Sequence, residues 1–305
     1  MAVPELSVVT GASGFTGRHI ARRLLNMNER VLNLTGHPER RGKTGDQIPA
    51  VPFNFGKPDE LTDSLRGATT LYNTYWIRFP HGTLTFDEAV RNTITLVKAA
   101  KDAGIRRFVH VSITNPSFDS PLPYFHGKAV VEQAIIESGL SYAILRPAVI
   151  FGDEGILINN VAWLLRRFPI FAIPGDGNYQ LQPIFVEDLA ELAVAMASRD
   201  ENIIMDAVGP ETYSFNSLLR LAARTVGSRT RLMHLNPALA LLLSRLLNHV
   251  VGDMMLTRDE VRGLMANLLV SEQPPTGDTR LGDWLVENAD WIGTGYMSEL
   301  KRHYR

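Results

Sequence analysis

The stretch VVTGASGFTGRHIARRLL, beginning at Val8, spaces Gly11, Gly14 and Gly17 three residues apart between a β-branched run and a helical pattern. Gly11 directly follows the run, Gly14 falls in the turn and Gly17 lies inside the first helical turn. Each position favours glycine for its own reason. The first permits a tight turn, the second lets backbone N–H groups approach a pyrophosphate, and the third lets helix and strand pack closely. The helix N-terminus adds partial positive charge. This order of strand, loop and helix predicts a dinucleotide-binding loop, with Gly11, Ser13, Gly14, Phe15, Thr16 and Gly17 around the phosphates.

The next residues keep the rhythm that such a loop requires. Strand patterns at Ser7–Thr10, Val31–Leu34, Val51–Phe55, Thr70–Asn73, Phe108–Ile113 and Tyr142–Leu145 alternate with helical patterns at Thr16–Met27, Asp59–Leu65, Phe86–Ala103 and Tyr124–Ser138. Alternation of this kind means βαβ units and a parallel sheet covered by helices on both faces, with its ligand site at the carboxyl ends of the strands. The expected architecture is an α/β, Rossmann-type doubly wound sheet over residues 1–150. A smaller, mostly helical substrate lobe is expected over residues 151–305, partly interleaved with the main sheet. A strand near Asn202–Asp206 and a helix opening near Asp188, read as its N-cap, are late elements of that second half.

Composition narrows the chemistry. The 305 residues include no cysteine, which excludes disulfides, thiolate metal sites and thiol catalysis. A net charge of −1 gives no field for nucleic acid. The apolar stretch PALALLLSRLLNHVV, Pro237 to Val251, falls short of a membrane span. It reads as a buried helix ahead of a membrane-surface amphipathic one. The strand and glycine loop at the N-terminus do not fit a cleaved leader, so a mature chain starting near Met1 and a cytoplasmic location are expected.

The end of the second strand reads the ribose of a bound dinucleotide. An acid there accepts from a 2′-hydroxyl and repels a 2′-phosphate. This chain has NLTGHPERR instead, placing His37 and Arg40 where an acid would select NAD(H), so NADP(H) is favoured. The residues at the strand ends further along, Asn54 in PFNFG and Asn73 and Tyr75 in NTYWIRF, are the remaining expected cofactor contacts; Tyr75 and Trp76 are bulky enough to narrow the site.

A second constellation lies in VSITNPSFDSPLPYFHGKAVVEQAI. Tyr124 and Lys128, four apart at the start of a helix, share one face. Lys128 can hold the nicotinamide ribose and lower the phenol pKa, leaving Tyr124 as general acid or base. Ser112, at the end of the fifth strand, can hydrogen-bond the carbonyl or hydroxyl that reacts. Gln182, in IPGDGNYQLQPIF, is a further polar residue expected to face the substrate pocket.

The segments TGASGFTG, FVHVSI, YFHGK, LRPAVIFG and PIFVEDLA, in this order, resemble an extended or atypical short-chain dehydrogenase/reductase. Within that superfamily the chain is most similar to the group of the nucleotide-binding accessory subunit of respiratory complex I, itself similar to sugar-nucleotide epimerases and NmrA-like proteins. The resemblance implies catalytic positions at Ser112, Tyr124 and Lys128, an active-site asparagine at Asn92, and Pro147 and Val149 beside the nicotinamide. It departs from the family at Gly127, where serine often precedes the lysine, and at Asn54, which replaces a common aspartate.

Two functions are compatible with these residues. The leading one is an NADP(H)-dependent oxidoreductase or epimerase acting on a small molecule, for which the apolar C-terminal lobe suggests a lipophilic substrate such as a quinone or isoprenoid. The alternative is a dinucleotide-binding accessory or redox-sensing protein with a protein partner or as a homo-oligomer. No metal site and no nucleic acid are expected in either.

Overall fold

The computed structural model describes residues 5–39 and 48–303. The chain opens as β1 (Leu6–Thr10), α1 (Phe15–Asn26), β2 (Arg30–Thr35), β3 (Ala50–Pro52), α2 (Pro58–Leu65), β4 (Thr70–Asn73), α3 (Phe86–Asp102), β5 (Arg107–Val111), α4 (Pro123–Glu137) and β6 (Ser141–Pro147). It continues through β7 (Val149–Phe151), α5 (Ile156–Arg167), β8 (Ile170–Pro174), β9 (Gln180–Leu181) and β10 (Pro183–Phe185). Then follow α6 (Val186–Ala197), β11 (Ile203–Ala207), β12 (Tyr213–Ser214), α7 (Phe215–Thr225), β13 (Arg231–Leu235), α8 (Pro237–Val251), α9 (Arg258–Met265), α10 (Leu281–Glu287) and α11 (Glu299–His303).

Two compact units result. The first is Met1–Arg146 together with Val186–Asp206; the second is Pro147–Phe185 with Ala207–Arg305. The boundary therefore falls at Arg146 rather than at residue 150, and α6 with most of β11 belongs to the first unit, not to the C-terminal half.

The first unit holds a seven-stranded sheet in the order β11-β6-β5-β4-β1-β2-β3. Register is parallel from β3 to β6, and the order reverses between β1 and β4, the switch point where such sheets bind ligands. β4 and β5 are buried along their whole length, as strands covered on both faces must be. Val8, Leu34, Leu71, Leu96, Phe108 and Ile144 form its core with no exposed surface. The helices start and stop where local chemistry dictates. Thr85 caps α3 by accepting from Glu88 N, Pro123 opens α4, and Gly104 and Gly139 end α3 and α4 in the left-handed region that glycine tolerates. α1 and α6 pack together, with Glu187 taking His19 Nδ1 at 2.7 Å and the Arg22 guanidinium.

Three local differences from the sequence pattern have physical causes. β3 stops at Pro52 instead of Phe55, because Asn54 turns the chain with φ +46°. β5 ends at Val111, two residues early. α6 begins at Val186, so Asp188 lies in its first turn and is not the N-cap; there it still faces the positive end of the helix dipole.

The second unit is built on the paired strands β13-β8, β10-β7 and β12-β9 and on six helices among the described residues. Its core gathers Phe151, Ile173, Leu181, Leu219, Leu285 and Ile292, with Phe151, Phe185 and Trp284 in ring contact. Gln182 lies between β9 and β10. It is buried, donates to Gly209 O at 3.0 Å and accepts from Ser271 N at 3.1 Å, so its amide fastens β10 to two loops. Helix α8 also departs from expectation: Leu239, Leu242, Leu243 and Leu246 are exposed rather than buried. No helix among the described residues is long and apolar enough to cross a membrane.

Candidate dinucleotide site and reactive positions

The glycine loop has the shape its spacing predicts. Gly11 has φ +63° and donates to Leu34 O at 2.8 Å, while Gly14 N returns to Gly11 O at 2.7 Å. A Cβ on Gly17 would lie 2.3 Å from Gly11 O and 3.0 Å from Thr10 O, so helix and loop touch there with no room for a side chain. Gly14 is the N-cap of α1 and offers no side-chain acceptor to the first amides of the helix, whose partial positive charge favours an anion. Asn33 on β2 supports the loop by accepting from Ala12 N at 2.8 Å. These features fit a bound pyrophosphate, with Ser13, Phe15 and Thr16 on the same turn.

The other expected cofactor residues divide. His37 is partly exposed, just past β2, and lies 3.5 Å from Glu39 Oε1. Arg40 lies outside the described residues. Asn54 holds a left-handed backbone, which asparagine tolerates, and donates to Glu60 at 3.1 Å. Asn73 has no exposed surface. Its amide oxygen accepts from Thr10 Oγ1 and Tyr75 N, and its nitrogen meets His110 Nδ1 at 3.0 Å, so it knits the carboxyl ends of β1, β4 and β5. Burial, with Lys128 adding to it, holds His110 well below its usual pKa, so the imidazole is neutral. Tyr75 meets Phe53 edge-on and Phe55 at a tilt, at centroid separations of 5.0 and 5.2 Å, forming an aromatic cluster at the ends of β3 and β4. Pro147 and Val149 fall in the second unit, at the end of β6 and in β7.

The reactive positions share α4 and its neighbours. Tyr124 is half-buried, and its ring contacts Trp76 and Phe86 edge-on, each at 5.8 Å. One turn on, Lys128 is 2% exposed. Its Nζ donates to Val111 O at 2.8 Å and sits 4.5 Å from the centroid of the Trp76 ring. Burial pulls its pKa down to about 7, against the opposing pull of Glu132. Asn92 donates to the Tyr75 hydroxyl at 2.9 Å. Ser112 donates its proton to Glu132 Oε1 at 2.5 Å.

Sequence reasoning passed over the groups that hold these residues in place. Glu132 lies one turn beyond Lys128 on the same face of α4 and is 3% exposed. Arg146 on β6 grips it through both Nε and Nη2, at 3.0 and 2.5 Å. The i, i+4, i+8 spacing of Tyr124, Lys128 and Glu132 was the available signal, since helical geometry puts all three on one face. Trp76 is the other. A Cβ on Gly127 would meet its ring at 3.1 Å, so the indole occupies the room that the family's serine would need.

Residues 11–161 match the family model described as NAD(P)H-binding. This chain carries an NAD(P)H-binding domain. The domain's relatives include an Arabidopsis thaliana mitochondrial protein named NADH dehydrogenase [ubiquinone] 1 alpha subcomplex subunit 9, 27% identical over 231 residues, which are 71% of this chain and 56% of that one. The chain thus spans little more than half the length of that relative. Among solved structures, the Citrobacter sp. triphenylmethane reductase complexed with NADP(H) is 18% identical with a TM-score of 0.72 over 93% of this chain and 99% of that one. MoeE5 in complex with UDP-glucose and NAD is 22% identical, with a TM-score of 0.66 over 93% and 97%. Both share the fold of the NAD(P)H-binding domain and its companion unit, one with NADP(H) and the other with NAD.

Proposed function

We propose that this protein is an NAD(P)H-binding accessory or redox-sensing protein, which holds the dinucleotide and acts by contact with a protein partner rather than by turnover. The observation that carries the reading is the enclosure of Lys128. Its ammonium is committed to Val111 O and covered by the Trp76 ring, where a ribose-anchoring lysine would need an open face. The commitment of the Ser112 proton to Glu132 supports it, since that hydroxyl then has no proton to offer a reacting carbonyl. Similarity to an NADH dehydrogenase subunit supports a protein partner. His37 past β2, at a place where an acid would repel a 2′-phosphate, supports NADP(H) over NAD(H).

A second reading is kept by one observation: Tyr124 and Lys128 do share a face at the start of α4. In that reading the protein is an oxidoreductase or epimerase of the short-chain dehydrogenase type, with Tyr124 as acid/base, and Trp76 swings aside when substrate binds. Titration of the protein's fluorescence with NADPH and NADH, beside oxidation assays against ketones, quinones and keto-sugars, separates the two. The accessory reading expects binding by wild type and by Tyr124→Phe, with turnover by neither. Turnover by wild type that Tyr124→Phe abolishes without loss of binding would overturn it in favour of the enzyme.

A further inference from the structure

We propose that α8 is a docking face for the surface of an anionic lipid bilayer, distinct from the dinucleotide site and independent of what that site does. At about 100° per residue, Arg245, Ala238, Leu242, Leu246, Leu239 and Leu243 succeed one another around about 160° of the helix. All six are exposed, Leu242 at 53% and Leu246 at 60%. Ala240 and Ser244 lie on the opposite side and are buried. The helix is therefore apolar outward and seated on the protein by its other face, the reverse of an ordinary surface helix. Four leucines in one exposed arc form a patch that soluble surfaces rarely leave without an occupant.

Charge identifies the occupant. Residues 212–252 contain five arginines, two histidines and no aspartate or glutamate, in a chain whose net charge is −1. Arg220, Arg224, Arg229, Arg231 and Arg245 are all exposed. Arg231 and Met233 lie on one side of β13, which runs into α8 with only Asn236 between them, and Arg231 pairs in register with the exposed Ile170. The first acid after the run, Asp253, is buried and spent on the backbone N–H groups of Glu299 and Leu300. Leucines pointing out, on a segment that carries exposed arginines and no acid of its own, match a helix lying in the interface plane of an anionic membrane. Arg245 at the edge of the arc can keep its guanidinium among headgroups while its stem follows the leucines. A second copy of this chain fits worse, since a two-fold contact would set arginine against arginine. At 15 residues α8 is about 22 Å long and lies on a bilayer without crossing it.

The test is co-sedimentation of the full chain with vesicles of phosphatidylcholine alone and of phosphatidylcholine mixed with phosphatidylglycerol. The variants are Leu242→Gln/Leu246→Gln and Arg229→Gln/Arg231→Gln, all at exposed positions, with circular dichroism and melting temperature confirming the fold. Wild type should partition to the mixed vesicles at least about tenfold more strongly than to the neutral ones, because each basic residue near an anionic surface contributes a factor of roughly five. Both variants should lose about tenfold on mixed vesicles, and added salt should weaken wild-type binding. Equal binding to both vesicles, no binding to either, or binding that survives the leucine variant would overturn the proposal. A monomer–dimer equilibrium abolished by the leucine variant, without vesicle binding, would overturn it and assign the face to a second copy.

Discussion

The ammonium of Lys128 lies 4.5 Å from the centroid of the Trp76 ring and donates to Val111 O at 2.8 Å. A cation over an indole face is attracted by the ring quadrupole, and the carbonyl satisfies one of its three protons. Burial nevertheless opposes the charge strongly enough to bring the pKa down to about 7, so near neutrality the group is divided between its two forms. A lysine in that state supplies less positive charge to a neighbouring phenol than a fully protonated one. Trp76 and Lys128 thus close the reactive positions together, one by covering and the other by losing charge.

Linkage gives this a sign. The lysine binds its proton with a pKa near 10.4 when unfolded and near 7 when folded, so between those values the unfolded chain holds more protons. Stability should therefore rise with pH above about 7, by about 2 kcal/mol from pH 7 to pH 9. Urea unfolding of wild type and Lys128→Met at the two pH values checks it. Methionine carries no titrating group, so the variant should lack that increment, and equal slopes in both proteins would refute the assignment.

Arg146 and Glu132 form a pair that is worth far more whole than halved. Glu132 is 3% exposed and takes the Arg146 fork on both oxygens while accepting from Ser112. Arg146→Ala leaves a carboxylate buried without its counter-ion and should cost about 3–5 kcal/mol. Glu132→Gln keeps an acceptor for Ser112 and should cost less, and Arg146→Met/Glu132→Leu should regain most of the loss. Denaturant midpoints of the three variants give the ranking.

At the glycine loop, Gly17→Ala places a methyl 2.3 Å from Gly11 O, which is backbone and has nowhere to retreat. The helix must shift off the loop, at a cost of about 1–3 kcal/mol. Dinucleotide binding should fall by more than tenfold, because the amides at the start of α1 then point away from the phosphates. Gly14→Ala meets the same oxygen at 3.1 Å and should be milder on both counts. Calorimetric titration and melting temperature read the two effects separately.

How far these features were legible depended on whether their cause was local. The glycine loop, the βαβ alternation and the shared face of Tyr124 and Lys128 follow from periods of two and 3.6 residues, which a sequence displays directly. The Arg146–Glu132 pair joins a strand to a helix across 14 residues, and no period marks it. Asn73 looks like a polar group at a ligand-facing strand end, but its amide is used to tie three strands. Helix α8 is apolar nearly all round, and its sequence carries no mark of which side the protein covers. The left-handed turn at Asn54 likewise ends β3 without any period to mark it.

Gly127 and Trp76 provide a test in which one substitution should change sign with its neighbour. A Cβ at Gly127 would meet Trp76 at 3.1 Å and Val90 Cγ2 at 3.2 Å, and the indole is hemmed by Tyr124 and Phe86. Gly127→Ser should therefore destabilise wild type by about 1 kcal/mol through overpacking, despite serine's better helix propensity. In a Trp76→Leu background the ring is gone and the Val90 side chain has the vacated space to turn into, so the same serine should stabilise by about 0.5 kcal/mol, the propensity difference. The coupling, read from unfolding curves of the four proteins in a double-mutant cycle, should be about 1.5 kcal/mol, the difference between those two effects. Additive effects would mean that the ring does not define the space above Gly127. The Trp76→Leu protein also uncovers Lys128, so its pKa should move back toward the ordinary lysine value as water reaches the ammonium.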